Sequence, residues 1–530
     1  MKQRRHVVFI CLLPLILGII LRIYMMSQLH APWGDNGAAI LDIAKNLVKG
    51  RGYTTQRIWT FYGPADEFGQ PEGNRQPLLP ILEAGIRIFA GDSFRMAQIV
   101  PFVFGLAVIC LMGFIGYYMG GVIGGSCAAT LAALDPLQIY FSTQIEDQIL
   151  FLTLFLILTL WIMKTGDGSL SLRHGIVSGF LLTALYLTRT NGLLLLIAYL
   201  FIAWYRGQKK HALATLGVFV LLSTPWFIRN IIAFGNPLHT DNAYFLWSDE
   251  FSDVFSVRDG TPSFAGYIST HTIPHMIVRW VKGAYLCLEG FFIGNIHRGE
   301  PFAGGPLTLP LLLSFLGFKD SRYRIVVLFI VVSFGLHFLT LSWHAHGTYR
   351  YFLPFYAIII CGAAAGIKRL WEDHIQGRRP SLRRWAVLLF CLTVLFPMIR
   401  PVWYTLKGTD RDVHGGAMEI VEWLRDDAPD STVLMDFPII EKYVYSYDLP
   451  TMITPHDSLG TIWSIAREYG ATHLVVCADQ IRLIPSLRKV WTRMDDRVIE
   501  GSLPTFLTPI LQSTDKRFLL YEFDWKRHEK

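Results

Sequence analysis

The sequence has few charged residues. Asp, Glu, Lys and Arg together make up 17% of its 530 residues, whereas 52% are hydrophobic. Soluble domains are about 25% charged, so the composition excludes an ordinary soluble protein. The seven cysteines include no CxxC pair, which argues against a zinc knuckle and against a disulfide framework.

Nucleotide-binding and serine-hydrolase motifs are also missing. The sequence contains no G-x-x-x-x-G-K-[ST] phosphate loop, no dinucleotide fingerprint followed by a helix, and no G-x-S-x-G elbow. ATP-driven transport and serine hydrolysis are therefore disfavoured. The net charge of +7 does not indicate a nucleic-acid partner, because the basic residues cluster beside apolar runs, as they do when they orient a membrane protein.

Long apolar runs are what the sequence has in abundance. A helix of about 20 apolar residues spans a bilayer, so the runs predict an α-helical polytopic membrane protein with about 11 spans and additional interfacial helices. The first run follows basic residues and has no small-residue cleavage site, which predicts an uncleaved helix. The predicted spans cover roughly residues 7–28, 96–118, 121–141, 148–164, 174–189, 190–206, 211–232, 303–318, 325–343, 350–368 and 385–403.

Basic residues fall on alternate loops of this arrangement. With the N-terminus in the cytoplasm, every strongly basic short loop lies inside, as the positive-inside rule requires. Two more apolar stretches, 77–90 and 273–294, are too short or too charged to cross and are predicted to lie on the outer face as interfacial helices. We expect a multi-pass protein of the inner (cytoplasmic) membrane with its C-terminal segment outside.

The predicted architecture has two parts. Residues 1–404 form a transmembrane module whose first outer loop is 30–96, and residues 405–530 form a small extracytoplasmic α/β domain. Apolar spacing in that domain predicts strands at 432–436, 472–477 and 518–523 and helices at 415–425 and 458–469.

Acidic residues stand at the outer ends of two predicted helices. Asp35 precedes a helical apolar stripe, and Asp is a favoured helix N-cap. The alternative is a carboxylate held at the outer surface as a general base, and one side chain can serve both roles. Glu146 and Asp147 stand at the mouth of another span, either as ordinary interfacial polarity or as further carboxylates of one outer cleft.

Four arginines also fall on the outer face. Arg75 begins the first interfacial helix, Arg189 lies between the fifth and sixth spans, Arg229 lies near the end of the seventh, and Arg350 begins the tenth. Each is either a snorkelling interfacial cation or part of a clamp for phosphate, whose oxygens Arg binds through paired donors.

Paired histidines on the outer side are the candidates for a metal site. His271 and His275 have i, i+4 spacing, and His344 and His346 have i, i+2 spacing. Paired His residues bind zinc, but four ligands of fixed geometry are not visible in the sequence, and surface histidines near headgroups are the plainer interpretation. The sequence predicts no certain cofactor and leaves a divalent metal open.

Several motifs, taken in order, resemble the GT-C membrane glycosyltransferases, and most closely their bacterial protein-mannosyltransferase and aminoarabinose-transferase-like branch. The resemblance covers the chain to about residue 405. The motifs are the uncleaved first helix, the long first loop led by Asp35, Arg-x-Pro-Leu-Leu-Pro from Arg75, the acidic second loop, the segment from Pro225 to Pro237, and Arg-Tyr-Phe-Leu-Pro from Arg350.

This resemblance implies an inverting transfer of a sugar from a polyprenyl-phosphate donor to a protein, lipid or glycan acceptor at the outer face. Asp35 would act near the acceptor, Glu146 or Asp147 would be the second acidic residue, and Arg350 or Arg229 would bind phosphate. Asn36 stands where many relatives have an acidic residue, which weakens the case for a metal in this loop. Gln76 stands where the common stretch has its first Pro.

A transporter or flippase of a lipid-linked or anionic solute is the alternative function. It would use the same outer cleft and the same arginines without breaking a bond. Interrupted helices and repeat symmetry, which are typical of such transporters, are not apparent in the sequence. The large first loop and the folded tail favour an outward-facing enzyme.

Overall fold

The computed structural model describes residues 2–32, 34–62, 67–165, 171–250, 252–292, 308–320, 323–343, 349–370, 372, 411–429, 431–436, 440 and 448–527. The predicted span at 385–403, the predicted domain boundary after residue 404, and His344 and His346 lie outside this part of the chain. The side chain of Asp35 also lies outside it, although its backbone is described.

The helices of the membrane module follow the predicted apolar runs. The two stretches predicted as interfacial helices are helical at Leu78–Ala90 and Ile273–Phe292, and their place at the membrane surface stays a prediction. The bounds are α1 (Lys2–Gln28), α2 (Gly34–Val48), α3 (Leu78–Ala90), α4 (Phe94–Ala97), α5 (Ile99–Leu134), α6 (Pro136–Phe141), α7 (Asp147–Thr165), α8 (Leu172–Thr188), α9 (Gly192–Tyr205), α10 (Lys209–Phe234), α11 (Phe264–Thr270), α12 (Ile273–Phe292), α13 (Thr308–Gly317), α14 (Arg324–Leu341) and α15 (Leu353–Leu370).

Five helical segments among the described residues are long and apolar enough to cross a membrane. They are Phe94–Leu134, Asp147–Thr165, Lys209–Phe234, Arg324–Leu341 and Arg350–Leu370. This confirms the prediction of a multi-pass helical membrane protein, while the number of spans stays a prediction.

Helix α5 contains a sharp turn at Gly121. The backbone there has φ 62° and ψ −152°, a conformation that favours glycine. Gly116 and Gly124 face each other across the turn so closely that a Cβ on Gly116 would lie 2.5 Å from the Gly124 carbonyl oxygen. The predicted spans 96–118 and 121–141 are therefore the two arms of this hairpin, and the second arm continues through α6.

The C-terminal domain is a sheet with a helix on each face. Apolar residues of helix Arg411–Asp426 and of helix Leu459–Glu468 pack on opposite faces of the sheet, in two separate buried clusters. The neighbouring strands Leu434–Asp436, Thr451–Ile453 and His473–Cys477 are parallel. The helices are α16 (Arg411–Asp426), α17 (Leu459–Glu468) and α18 (Ala478–Leu483), and the strands are β6 (Leu434–Asp436), β7 (Thr451–Ile453), β8 (His473–Cys477), β9 (Trp491–Met494), β10 (Arg497–Glu500), β11 (Leu507–Gln512) and β12 (Phe518–Phe523).

The first outer loop contributes the edge strand of this sheet. The short strands before the C-terminal domain are β1 (Thr54–Thr55), β2 (Arg57–Ile58), β3 (Phe61–Tyr62), β4 (Gln70–Pro71) and β5 (Val257–Arg258). Strand β2 pairs in parallel with β7, which gives the sheet order β11-β12-β8-β6-β7-β2. Ile58 and Phe61 are buried in the apolar cluster of the C-terminal domain. The loop that follows α2 is thus fixed to the domain by backbone pairing and apolar contact.

Asp448 adds an ionic link between the same two regions. Its carboxylate pairs with Lys45 at 3.5 Å, with Arg51 at 3.0 Å, and with Lys49. Partial burial acts to raise the pKa of Asp448, but hydrogen bonds from Lys49 and Arg51 outweigh it and hold that pKa well below its usual range.

We expect Asp448→Asn to lower the free energy of unfolding by a few tenths to about 1 kcal/mol, because the Asp448 carboxylate, Lys49 and Arg51 are exposed and buried Lys45 keeps its pair with Asp42. The folded-state pKa is lower than the unfolded-state pKa of about 3.9, so this contribution is complete above about pH 5 and is lost as the pH falls. Thermal midpoints of the purified protein between pH 7 and pH 3 measure it. Asp426→Asn, which removes an exposed pair with the adjacent Arg425, is the control and should lower the midpoint by less.

Candidate functional site

The ends of several helices and the first loop meet at one place, which the charge rule puts on the outer side. Glu146 lies in the short loop between α6 and α7 and is 5% exposed. The side-chain amide of Asn36, in the first turn of α2, donates to both carboxylate oxygens of Glu146, at 3.2 and 3.4 Å. Arg75 in turn donates to the amide oxygen of Asn36. These three residues form a continuous polar chain.

Burial raises the pKa of the Glu146 carboxyl above its usual value. The positive charge of Arg350 is the largest effect that lowers this pKa, and the charge of Arg75 and the hydrogen bond from Asn36 lower it as well. The negative charge of Asp147 raises it. Arg350 and Arg75 therefore both act on the same buried carboxylate. The structure thus brings together residues of the first outer loop, the second outer loop and the start of the tenth predicted span.

Asn36 makes two contacts that an acidic residue after Asp35 could not both make. Its amide nitrogen donates to Glu146 and its amide oxygen accepts from Arg75, which a carboxylate at this position could not do. Asp35 precedes Asn36 in the same turn of α2. The backbone of α2 therefore holds residue 35 one position away from the Glu146 contact.

Arg75 has a buried donor that no described residue uses. Its Nε atom is inaccessible to solvent and, within the described part of the chain, has no hydrogen-bond acceptor. The backbone N–H of Arg75 donates to Glu72 at 2.9 Å, and its carbonyl accepts from Tyr53 at 3.0 Å. A buried unpaired donor is unfavourable, so this guanidinium is suited to an oxygen of a ligand.

Asp147 and Arg189 form an ion pair beside Glu146. The guanidinium of Arg189 contacts the Asp147 carboxylate and lies 4.5 Å from the ring centroid of Tyr351. Arg350 lies over the same ring at 5.5 Å. Arg189 is therefore largely compensated by Asp147, and both guanidinium groups lie near the ring of Tyr351.

Arg229 is surrounded by aromatic rings and is not among the residues that contact Glu146 or Asp147 in the described part of the chain. Its guanidinium lies 5.2, 4.9 and 5.0 Å from the ring centroids of Tyr53, Trp226 and Phe234 and donates to the Tyr53 carbonyl at 3.0 Å. These contacts fix the end of α10 to the first loop. Arg229 reaches Arg75 only through Tyr53, so its position fits a structural role better than direct phosphate binding.

A cavity of about 210 Å³ adjoins Arg75. It lies between the first loop and the segment after α10, and its wall includes Trp59, Tyr62, Glu72 and Asp241. Burial raises the pKa of Glu72, and the charge of Asp241 raises it further. The cavity thus combines aromatic faces with carboxylates and the Arg75 guanidinium, and the sequence alone did not indicate Glu72 or Asp241.

We expect Asn36→Asp to destabilise the protein in a pH-dependent way. The change places a second carboxylate against buried Glu146, and loss of the donor alone costs about 1–3 kcal/mol. The two carboxyl groups together carry more negative charge at pH 8 than at pH 5, where a shared proton relieves the repulsion, so the thermal midpoint should fall more at pH 8. Asn36→Ala, which adds no charge, should show the smaller pH dependence. Equal midpoint losses for the two variants at both pH values would contradict this.

His271 and His275 lie apart from these residues, near Asp249 in the segment after α10. The sequence offered no signal for Asp249, because it comes 22 residues before His271 in a segment without periodic spacing. His344 and His346 are outside the described residues.

Comparison of the sequence with protein-family models finds no match, and comparison with curated proteins finds none. Among solved structures, the apo oligosaccharyltransferase of Archaeoglobus fulgidus matches with a TM-score of 0.59 and 13% identity, over 89% of this chain and 70% of that one. AglB of the same organism, in complex with an inhibitory peptide and a dolichol-phosphate, matches with a TM-score of 0.58 and 14% identity, over 95% and 75%.

ArnT of Cupriavidus metallidurans bound to undecaprenyl phosphate matches with a TM-score of 0.56 and 11% identity, over 96% of this chain and 97% of that one. These proteins are GT-C glycosyltransferases. Identities this low establish the fold and not the branch, which stays a prediction. The chain therefore has the fold of the GT-C membrane glycosyltransferases, as its sequence motifs predict.

Proposed function

We propose that this protein is an inverting glycosyltransferase that moves a sugar from a polyprenyl-phosphate donor to an acceptor at the outer face of the cytoplasmic membrane. An outward-facing site has no supply of nucleotide sugars, so its donor arrives attached to a lipid. The acceptor is a hydroxyl or amine group of a protein, lipid or glycan.

The reaction is a single displacement at the anomeric carbon. Asp35 accepts the proton of the acceptor group as that group forms its bond to the anomeric carbon. The bond from the anomeric carbon to the phosphate oxygen breaks, and its electron pair leaves with the lipid phosphate. Arg75 and Arg350 stabilise the charge that grows on that phosphate. No metal ion is required for a monophosphate to leave with this support.

The observation that carries the proposal is the buried Nε of Arg75, which has no acceptor among the described residues. This donor lies on a side chain that Asn36 ties to the α2 turn containing Asp35. A phosphate oxygen that reached this guanidinium from the adjoining cavity would thus lie close to the turn that carries the proposed base. Arg189, which Asp147 compensates, orients the second loop and does not bind phosphate.

Two of the fold neighbours support a lipid-phosphate donor. AglB is in complex with a dolichol-phosphate and ArnT with undecaprenyl phosphate. The cavity of about 210 Å³ beside Arg75 is smaller than the ~300–1,000 Å³ of pockets for drug-sized ligands. Its size and mixed aromatic and charged wall suit one polar group or ring of the acceptor.

Reconstitution in liposomes with a panel of polyprenyl-phosphate sugars and short hydroxyl or amine acceptors tests the proposal. We expect one donor to give product whose anomeric configuration is inverted, as read by NMR. Product with retained configuration would contradict the single displacement. Movement of the intact lipid-linked sugar between leaflets, without product, would support the transporter alternative.

A further inference from the structure

Three side chains from different elements converge on the outer side, away from the proposed catalytic residues. Asp249 lies in the segment between α10 and α11, His271 follows α11, and His275 lies in the first turn of α12. The Nε2 atom of His271 is 3.0 Å from Asp249 Oδ2, and that of His275 is 3.2 Å from Asp249 Oδ1. All three potential ligand atoms lie within 4.8 Å of one another.

Hydrogen bonding orients the ring of His271. Its Nδ1 atom is 2.9 Å from the carbonyl oxygen of Tyr267 and 2.9 Å from the hydroxyl oxygen of Thr270, so Nε2 is turned toward the Asp249 carboxylate. A backbone carbonyl as the partner of the distal ring nitrogen is the usual arrangement behind a metal-bound histidine.

The carboxylate is also held in place. The hydroxyl of Tyr267 donates to Asp249 Oδ1 at 2.6 Å. The ring of His271 stacks on Tyr267 with centroids 4.0 Å apart. Two of the three groups are therefore preorganised.

We propose that Asp249, His271 and His275 bind a divalent transition-metal ion, with Zn²⁺ the best fit to two imidazoles and one carboxylate. Zn–N and Zn–O bonds of about 2.0–2.2 Å in a tetrahedron place neighbouring ligand atoms about 3.3–3.5 Å apart. The observed 3.0 and 3.2 Å require only small outward shifts. Asp249 and His275 are partly exposed, with side-chain exposures of 36% and 48%, so water can complete the coordination.

The proposed ion would fasten the segment after α10 to the start of α12. Arg279 already holds this segment from α12, since its guanidinium donates to the carbonyls of Leu246, at 3.0 Å, and Ser248. Its Nε is 3.5 Å from Asp249 Oδ1, an ion pair without a hydrogen bond, and the Oδ2 atom of Asp249 faces His271. The role is structural, because none of the three ligands contacts Glu146, Asn36 or Arg75 in the described part of the chain.

The experiment is zinc binding by the full-length protein, purified in detergent, stripped with chelator and titrated with Zn²⁺ against a chromophoric competitor. We expect one ion per chain, a thermal midpoint that rises with zinc, and at least about 10- to 100-fold weaker binding for Asp249→Ala and His271→Gln. His239→Gln is the matched control, since His239 pairs with Asp241 at 2.9 Å and, among the described residues, neither belongs to a group of three potential metal ligands; this variant should bind zinc normally. Wild-type protein that binds no zinc, or variants that all bind equally, would overturn the site.

A second variant keeps the test decisive if the first two fold poorly. His275→Cys changes a half-exposed side chain and preserves a zinc ligand. With Co²⁺ in place of Zn²⁺, we expect it to gain a thiolate-to-cobalt charge-transfer band that wild-type protein lacks. Folded His275→Cys protein without that band shows that residue 275 is not a ligand, which contradicts the proposal independently of glycosyl transfer.

Discussion

Asp35→Asn is expected to reduce turnover by about 10²- to 10⁴-fold, the usual contribution of a general base. The amide keeps the size of the side chain and its capacity to accept a hydrogen bond at the start of α2, but it cannot take the acceptor's proton. Binding of the donor lipid should be unchanged, because the phosphate is held by guanidinium groups. Initial rates of lipid phosphate release and equilibrium binding of the donor measure the two effects separately.

The matched control is Asp42→Asn, the same substitution on the same helix two turns later. Asp42 accepts from the backbone N–H of Gln56 at 2.8 Å and pairs with Lys45 at 3.1 Å, so its loss should lower the thermal midpoint and leave the turnover of folded protein intact. Asp35→Asn should show the opposite pattern. Full turnover in Asp35→Asn would remove the general base from the mechanism.

Arg75→Gln is expected to lower kcat by about 10²- to 10³-fold, the loss typical for removal of one donor to a developing oxyanion. The glutamine amide nitrogen can occupy the position of Nε, but glutamine lacks the two terminal guanidinium nitrogens and carries no charge to offset the departing phosphate. Arg75→Lys should recover only part of the rate, since a lysine supplies the charge without the paired donors. Steady-state release of lipid phosphate, with kcat and KM separated, is the measurement.

Arg87→Gln is the control for this loss of charge, because Arg87 lies on α3 and pairs locally with Asp92. It should leave kcat unchanged. If Arg75→Gln raised KM alone, Arg75 would bind the donor equally in the ground and transition states. Phosphate stabilisation in the transition state would then fall to Arg350.

The periodic elements of this chain were accessible from sequence. Apolar runs predicted α7 and α10 to within a few residues, because a membrane helix must satisfy all its backbone groups internally and so carries its signal locally. The strands β8 and β12 were also predicted, since each is a short apolar run between turns. Strand β2 was missed because two residues show no period, and its partner in β7 is almost 400 residues away.

The sequence predicted which charged residues share the candidate site, but not which residues contact one another there. Sidedness placed Glu146, Arg75 and Arg350 in one compartment, and the structure brings them into mutual influence. The bridging amide of Asn36 and the pairing of Arg189 with Asp147 could not be predicted, because both depend on how helix ends pack across the outer face. The same limit applies to Asp249, whose place beside two histidines arises only when α11 and α12 fold together.

Acceptor-dependent release of polyprenyl phosphate in proteoliposomes is the most direct test of the central claim that Asp35 and Arg75 serve one displacement at the outer face. We expect wild-type protein to release one lipid phosphate for each sugar transferred. Asp35→Asn and Arg75→Gln should both lose this release while the protein stays folded. A donor lipid that keeps its sugar in the presence of wild-type protein and every acceptor tested, or variants that release it at the wild-type rate, would contradict the account.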